Sequence, residues 1–326
     1  MTDNRAGAGS TYGLVPGPMT IPNAHELRLT LRASLAGPQP LVLPGVTDAM
    51  GLRLVEQAGF AAAYATGGGL ANAQHALPDI GLTSMAEVVE HAGRITAAAS
   101  IPVVVDADTG YGGPLATMRT IRLLERAGAA AIQVEDQQMP KQCGHFDDHD
   151  LIPAGHMQTK IAIACEARAD DALVIIARTD ARSVYGIEEA IERAKAYVEA
   201  GADVIFVEAP RTIEELALVG TELAGVPLVV NVVEGGKTPE LDLKEYAELG
   251  FSVILFANYL MRTMMRAGIE ALRHLREHGE TASRADRMVT WSERQELFRL
   301  ADLAAAEALL DQPLADIIAA NRRPVP

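Results

Sequence analysis

The sequence predicts a (β/α)8 barrel of the TIM type, and three observations predict it. Short apolar runs alternate with longer amphipathic stretches through most of the 326 residues. Glycine recurs at the joints between an amphipathic stretch and the next run, as in Ala58-Gly59-Phe60, Ala127-Gly128-Ala129, Ala200-Gly201-Ala202 and Leu249-Gly250-Phe251. Glycine tolerates the left-handed conformation that ends a helix. Polar and charged residues gather at the far end of the apolar runs, where a barrel builds its active site.

In chain order, residues 1–22 are rich in Gly, Pro and Thr and read as a flexible N-terminal arm. The apolar runs 41–43, 61–65, 103–105, 130–134, 174–177, 204–207, 228–230 and 253–256 read as buried parallel strands. Between them 48–57, 85–98, 115–126, 187–200 and 213–223 read as helices. An open doubly wound sheet is the rival fold. It would carry a Gly-rich phosphate fingerprint after its first strand, and none stands there. Residues 291–310 read as one more helix beyond the closed barrel. The expected organisation is an arm over 1–22, a barrel over 23–280 and a helical extension over 281–326. An apolar helix without a place in the barrel packs on a partner, so the reading includes an oligomer.

Hydrophobic residues make up 49% of the chain and aromatics only 4%, so aliphatic side chains must fill the core. The formal charge of −15 excludes nucleic acid as a partner, because phosphates need a basic surface. It leaves room for a small anion in a locally cationic pocket. No apolar run reaches membrane-spanning length and no signal pattern opens the chain. Cys143 and Cys165 form no disulfide framework, and a reducing cytoplasm is the expected compartment.

The strand ends supply the candidate site. Asp106, Asp108 and Glu135 form an oxygen-only set suited to Mg2+, with Mn2+ as the alternative. Period-two spacing points Asp106 and Asp108 the same way. Thr66-Gly67-Gly68-Gly69 can offer backbone N–H groups to a carboxylate, or can be a plain turn. Arg178 can clamp a carboxylate, or can pair with Asp180 or Glu208. Asn231 follows the seventh run, with Glu234 after it. Cys143 lies between Lys141 and His145 in a polar stretch, where cations lower a thiol pKa, whereas Cys165 lies in an apolar run. Residues 139–153 are long and polar enough to form a lid.

Taken together, Lys141-Gln142-Cys143-Gly144-His145, Val105-Asp106-Ala107-Asp108-Thr109-Gly110-Tyr111-Gly112, Tyr64-Ala65-Thr66-Gly67-Gly68-Gly69, Ala177-Arg178-Thr179-Asp180-Ala181, Val207-Glu208-Ala209 and Asn231 resemble the motifs of the isocitrate lyase/phosphoenolpyruvate mutase superfamily, in its lyase branch. The likeness runs from about residue 41 to 310. It implies Mg2+ held by Asp108, with Asp106 and Glu135 acting directly or through water, and Asp79 as a further acid of the site. It implies C-terminal helices exchanged between subunits in a homotetramer. The implied reaction is cleavage of a C–C bond in an anionic 2-hydroxy acid, of alkylmalate or 2-methylisocitrate type, to pyruvate or glyoxylate plus a carboxylic acid. Tyr64 or a metal-bound hydroxide would be the base. Thr66, Gly67, Gly68, Gln142, Gly144, Arg178, Glu208, Asn231 and Arg262 would hold the substrate. Cys143 would protonate the carbanion, supported by Lys141 and His145.

Two departures from the family pattern bear on the substrate. Gln142 stands where isocitrate and methylisocitrate lyases usually carry a base, and Val232-Val233 stand where they carry small or polar residues. Both remove polar contacts to a third carboxylate, which favours a dicarboxylic malate-type substrate. The alternatives are an oxaloacetate hydrolase, a phosphonomutase or phosphonopyruvate hydrolase, and a barrel without catalysis.

Overall fold

The protein is described by a computed structural model that covers residues 22–142, 144 and 150–311. Cys143, His145, nearly all of the expected arm (1–21) and the end of the expected extension (312–326) lie outside the described residues.

Eight parallel strands close into one barrel in sequence order. They are β1 Leu41–Val46, β2 Ala63–Ala65, β3 Val103–Asp106, β4 Ala131–Glu135, β5 Val174–Thr179, β6 Val204–Val207, β7 Leu228–Asn231 and β8 Val253–Phe256. Closure is made by β8 on β1, with Leu41 opposite Val253 and Pro44 opposite Phe256. The helices are α1 Ala24–Leu35, α2 Ala49–Gln57, α3 Gly67–His75, α4 Met85–Thr96, α5 Pro114–Arg126, α6 Ala154–Ala167, α7 Ala181–Tyr185, α8 Ile187–Glu199, α9 Ile213–Glu222, α10 Leu243–Glu248, α11 Tyr259–His278, α12 Trp291–Leu297 and α13 Leu300–Leu310.

The near-continuous apolar strands are explained by burial on both faces. Val103 and Val105 of β3 point outward, into the aliphatic layer that includes Ile121, Leu124 and Ile161 of α5 and α6. Val104, between them, points inward and meets Leu41, Leu43, Val174, Ile176, Phe206 and Leu255 in the barrel interior. Leu31 of α1 joins this inner layer. Helix starts follow side-chain caps: Asp48 accepts from Gly51, and Ser84 and Glu87 form a reciprocal box at the start of α4.

The barrel unit spans Ala24–Leu272, and the described residues from Arg273 onward belong to a second unit. In that second unit the single helix expected over 291–310 is two, α12 and α13. Arg299 between them is left-handed (φ +58°), which ends the first helix before Leu300 begins the next.

Candidate active site

The polar residues at the strand ends converge on one cavity. It is lined by Tyr64, Thr66, Gly68, Asp79, Asp106, Lys141, Gln142, Gly144, Arg178, Glu208, Asn231, Leu255, Ala257 and Asn258. Register explains much of this. Asp106 lies opposite Gln133 on β4, and Glu135 opposite Arg178 on β5.

The glycine run is not a loop. Gly67-Gly68-Gly69 opens α3, with Thr66 as N-cap accepting from Gly69 N–H at 3.3 Å. Glycine is needed here for space. A Cβ on Gly67 would lie 3.0 Å from both Asp106 Oδ2 and Asp108 Oδ1, and one on Gly68 would lie 3.0 Å from Asp79 Oδ2. The first N–H groups of α3 therefore face the acid cluster, and Gly67 N–H donates to Asp106 Oδ2 at 3.2 Å.

Asp106 and Asp108 meet, but not by strand alternation. β3 ends at Asp106, and Asp108 is left-handed (φ +46°) beyond it. Asp108 N–H donates to Asp106 Oδ1 at 3.0 Å, and Tyr111 O–H donates to Asp108 Oδ2 at 2.9 Å. A left-handed residue without a glycine's freedom is costly, by about 1–3 kcal/mol, and such positions cluster at functional sites. Burial, then Asp108, pushes the Asp106 carboxyl up to about 6. Burial likewise raises Glu135 well above the usual carboxylate range.

Lys141 reaches into this cluster. Its Nζ stands 2.5 Å from Asp79 Oδ1 and 2.8 Å from Asp108 Oδ1, with only 5% of the side chain exposed. Burial alone would lower its pKa, but Asp108, Glu135, Asp79 and Asp106 outweigh burial and hold the ammonium charged. The 2.8 Å contact with Asp108 does not meet hydrogen-bond angles, so Asp108 Oδ1 remains a buried acceptor without a hydrogen bond. The backbone next to Lys141 is fixed by Gln137. Its amide donates to Gln142 O and accepts from Gln142 N–H, both at 2.9 Å.

Arg178 is held by Asp180 through two hydrogen bonds, of 3.0 Å from Nε and 2.8 Å from Nη2. Glu135 and Glu208 lie farther, at 3.5 and 3.6 Å, and the guanidinium rests 5.1 Å from the Phe206 ring centre. The choice between clamp and ion pair is thus not exclusive: the arginine is ion-paired and lines the cavity. Gly144 packs against it. A Cβ there would collide with the guanidinium and lie 2.7 Å from Asp180 Oδ1.

Three expectations need correction. Tyr64 donates its O–H to Gln133 Oε1 at 2.9 Å, and burial, then Asp106, raises its pKa well above that of a free phenol. It stands as a donor, not as a base. Arg262 does not reach the cavity; it is half exposed on α11 and donates to Glu234 O at 2.9 Å and Glu234 Oε2 at 3.1 Å. Val232 belongs to the aliphatic layer outside the barrel wall, and neither it nor Val233 lines the cavity. Cys165 is half-buried on α6, donating to Gly201 O at 3.1 Å. Cys143 and His145 lie outside the described residues.

Sequence reasoning missed Asn258, Gln133 and Gln137. Asn258 lines the cavity just past β8, a position that the barrel rule already marks. Gln133 shares the inward face of β4 with Ala131 and Glu135, so alternation could have found it. Its Nε2 donates to Asp106 Oδ1 at 3.2 Å while its Oε1 accepts from Tyr64 O–H.

The donor set was tested against a divalent cation. Every candidate ligand is a hard carboxylate oxygen, and Glu135 Oε1 is buried without a hydrogen-bond partner. Six carboxylates, those of Asp79, Asp106, Asp108, Glu135, Asp180 and Glu208, face three described cations, Lys141, Arg178 and, toward Glu135, Lys160. Among the described residues no group of three His, Cys, Asp or Glu could by itself hold an ion. It is the hard-oxygen chemistry of the donors that fits magnesium, which takes one or two carboxylates and keeps several waters.

Acid side chains, buried cations and a helix N-terminus at the C-terminal mouth of a parallel barrel define a barrel enzyme for a small polar substrate. Comparison with known proteins places it more narrowly. A family profile described as phosphoenolpyruvate phosphomutase matches residues 31–276. 2,3-Dimethylmalate lyase of Eubacterium barkeri is 40% identical over 277 residues, covering 85% of this chain and 96% of the relative. 2-Methylisocitrate lyase of Shewanella oneidensis is 39% identical over 284 residues, covering 87% and 96%. A solved structure of oxaloacetate acetylhydrolase with the inhibitor 3,3-difluorooxalacetate superposes with a TM-score of 0.84 at 30% identity, covering 89% of this chain and 99% of that one. The chain belongs to the phosphoenolpyruvate mutase/isocitrate lyase superfamily. It is a carbon–carbon lyase of that superfamily.

Proposed function

We propose that the chain cleaves a malate-type 2-hydroxy dicarboxylate to pyruvate or glyoxylate plus a carboxylic acid, with Mg2+ as cofactor. One observation carries this reading: the excess of carboxylates over cations around a cavity suited to an anion. Such a pocket would repel a dicarboxylate unless a divalent ion stood in it. Asp108, with Asp106 and Glu135, would hold that ion. When bound, it supplies Lewis-acid polarisation of the substrate's 2-oxygen.

The chain's own residues supply the rest. Thr66 and the N–H of Gly68 at the start of α3 receive a carboxylate, where the helix dipole favours negative charge. Arg178, already oriented by Asp180, grips the oxygens of the 2-oxo acid as they form. Tyr64 lines the same region, with its O–H held by Gln133. As the C–C bond breaks, the substrate's 2-hydroxyl gives its proton to solvent water and becomes the carbonyl, and the electron pair of the broken bond passes to the α-carbon of the departing carboxylate. Cys143 gives its thiol proton to that carbon, and the positive charge of Lys141 stabilises the developing anion. Gln142 at the cavity wall is a neutral amide, which favours two carboxylates over three.

Assembly fits the same reading. The 20-residue helix α11 has no buried residue, and Tyr259, Met265, Ile269 and Leu272 are each more than half exposed. An apolar face of that length calls for a partner surface. A homotetramer with exchanged C-terminal helices would cover it. No helix among the described residues is long and apolar enough to cross a membrane.

The test is turnover of 2,3-dimethylmalate, 2-methylisocitrate and oxaloacetate by purified protein with Mg2+, reading out pyruvate, glyoxylate and oxalate. Dimethylmalate should be cleaved fastest, and Cys143→Ser should abolish cleavage while keeping substrate binding. Faster cleavage of methylisocitrate would overturn the substrate. Oxalate and acetate from oxaloacetate as the main products would replace the lyase with a hydrolase, which the likeness to oxaloacetate acetylhydrolase makes the leading rival.

A further inference from the structure

We propose that Asp136, which lies wholly outside the cavity, is the positioning residue that sets the Arg178 guanidinium. The proposal rests on the reading above in one respect, that Arg178 grips a substrate carboxylate. The starting point is an oddity at α7. Asp180 occupies the N-cap position of this helix, where an aspartate ordinarily accepts from its own first turn, yet its side chain makes no capping bond. Both carboxylate oxygens are turned to Arg178 instead.

Something else must then hold the Asp180 backbone, and Asp136 does so. Asp136 is 0% exposed, at the position just past β4. Its Oδ1 accepts from Asp180 N–H at 3.0 Å. Its Oδ2 accepts from Thr179 O–H at 2.7 Å, from Tyr197 O–H at 2.8 Å and from Arg193 Nη1 at 3.2 Å. Thr179, so fixed, accepts from Ala181 N–H at 3.2 Å and takes over the cap that Asp180 gave up. The chain of contacts runs from Tyr197 and Arg193 through one carboxylate to the residue that holds Arg178 on two points.

The same residue reaches the base of the catalytic loop. Asp136 O accepts from Ile152 N–H at 2.9 Å, and Arg193 Nη1 also donates to Ile152 O at 2.9 Å. Gln138 N–H donates to Asp150 O at 2.7 Å beside it. Asp136 thus ties the clamp arginine through its carboxylate, and Ile152 through its backbone carbonyl, to one point just past β4. A buried carboxylate accepting four donors can be replaced by an amide only by turning an N–H toward one of those donors.

The experiment is a double-mutant cycle of Asp136→Asn and Arg178→Lys. It is read out as the dissociation constant of oxalate, a small dicarboxylate probe, and as kcat and KM for the cleaved substrate. Asp136→Asn should weaken oxalate binding about tenfold and raise KM more than it lowers kcat, because a misplaced guanidinium loses grip before it loses chemistry. In the Arg178→Lys background the same substitution should change oxalate binding less than twofold. Equal effects in both backgrounds would overturn the proposal, since they would show that Asp136 acts on the fold and not through Arg178. If Asp136→Asn does not fold, Tyr197→Phe and Thr179→Val each remove one donor to the same carboxylate. Each should show the same non-additivity in smaller measure, and additivity in both would equally refute the idea. An Arg178→Lys single variant with unchanged oxalate affinity would instead sink the clamp reading itself.

Discussion

The two ends of the barrel carry buried charge in different ways. At the N-terminal end Arg28 of α1 donates to Ala129 O at 3.0 Å, to Glu125 O at 2.8 Å and to Asp170 Oδ2 at 2.8 Å. Arg32 and Arg168 share Asp203, whose Oδ2 also accepts from Ile175 N–H at 2.9 Å. Glu125 accepts from the backbone N–H groups of Ala169 and Asp170. Each of these charges has a partner of opposite sign or a backbone group. At the C-terminal end, among the described residues, acids outnumber cations, Glu135 Oε1 and Asn231 Oδ1 are buried without hydrogen bonds, and Asp108 is left-handed. The satisfied network stabilises the fold, while the unsatisfied one is held in place by it for a ligand to complete.

Substitutions at the two ends should therefore separate activity from stability. The largest effect belongs to Lys141→Met, which removes the ammonium from the acid cluster. Turnover should fall about 10³-fold, near 4 kcal/mol of transition-state stabilisation, as measured by kcat with the fold checked by circular dichroism. Next comes Arg28→Ala at the opposite end. It should cost about 3 kcal/mol in urea denaturation, because it strands buried acceptors, yet leave kcat per folded molecule unchanged. A drop in kcat with stability intact would erase the division between the ends. Third is Gly144→Ala, whose methyl would strike the Arg178 guanidinium and sit 2.6 Å from Glu208 Cγ. About a 10²-fold loss in kcat/KM is expected, with the thermal midpoint hardly moved.

The same contrast decides what the sequence could reveal. The barrel wall was legible because its strands are buried on both faces and so read as unbroken apolar runs such as Val103-Val104-Val105. The strand-end acids were legible for the same reason, since they interrupt those runs. Helix α3 was hidden by its first three residues. Each glycine disfavours a helix by about 1 kcal/mol, so Gly67-Gly68-Gly69 reads as a turn. Packing overrode propensity there, because a side chain at Gly67 would crowd Asp106 and Asp108 and one at Gly69 would strike Thr66 and Thr47. The state of Tyr64 was illegible because it depends on burial and on Gln133, a neighbour 69 residues away. Arg262 was misplaced because its partner, Glu234, lies on another loop that periodicity cannot connect to α11.

The smallest expected effect is a pair of opposite pH slopes in protein stripped of metal with a chelator. Burial would raise the Asp170 carboxyl, but the Arg28 hydrogen bond, with Ala172 and His25, outweighs it and lowers the pKa to about 2. An acid lowered on folding adds stability above its unfolded pKa of about 4, and that stability is lost as pH falls through 2. Asp106 works the other way. Its folded pKa of about 6 exceeds the unfolded value, so folding favours its protonated form. The cost of ionising it in place is absent below about pH 4 and complete above about pH 6. Asp106→Asn should therefore stabilise the metal-free protein at pH 7–8 by about 1 kcal/mol and destabilise it by about 1–2 kcal/mol at pH 4, while Asp170→Asn should flatten the acid limb alone. The gain is held near 1 kcal/mol because the amide cannot accept all three N–H groups, of Gly67, Asp108 and Gln133, that now point at Asp106. Urea unfolding at the two pH values measures both slopes. A destabilised Asp106→Asn protein at pH 8 would mean that the acid cluster is as well compensated as the network beneath the barrel, and the contrast between its two ends would fail.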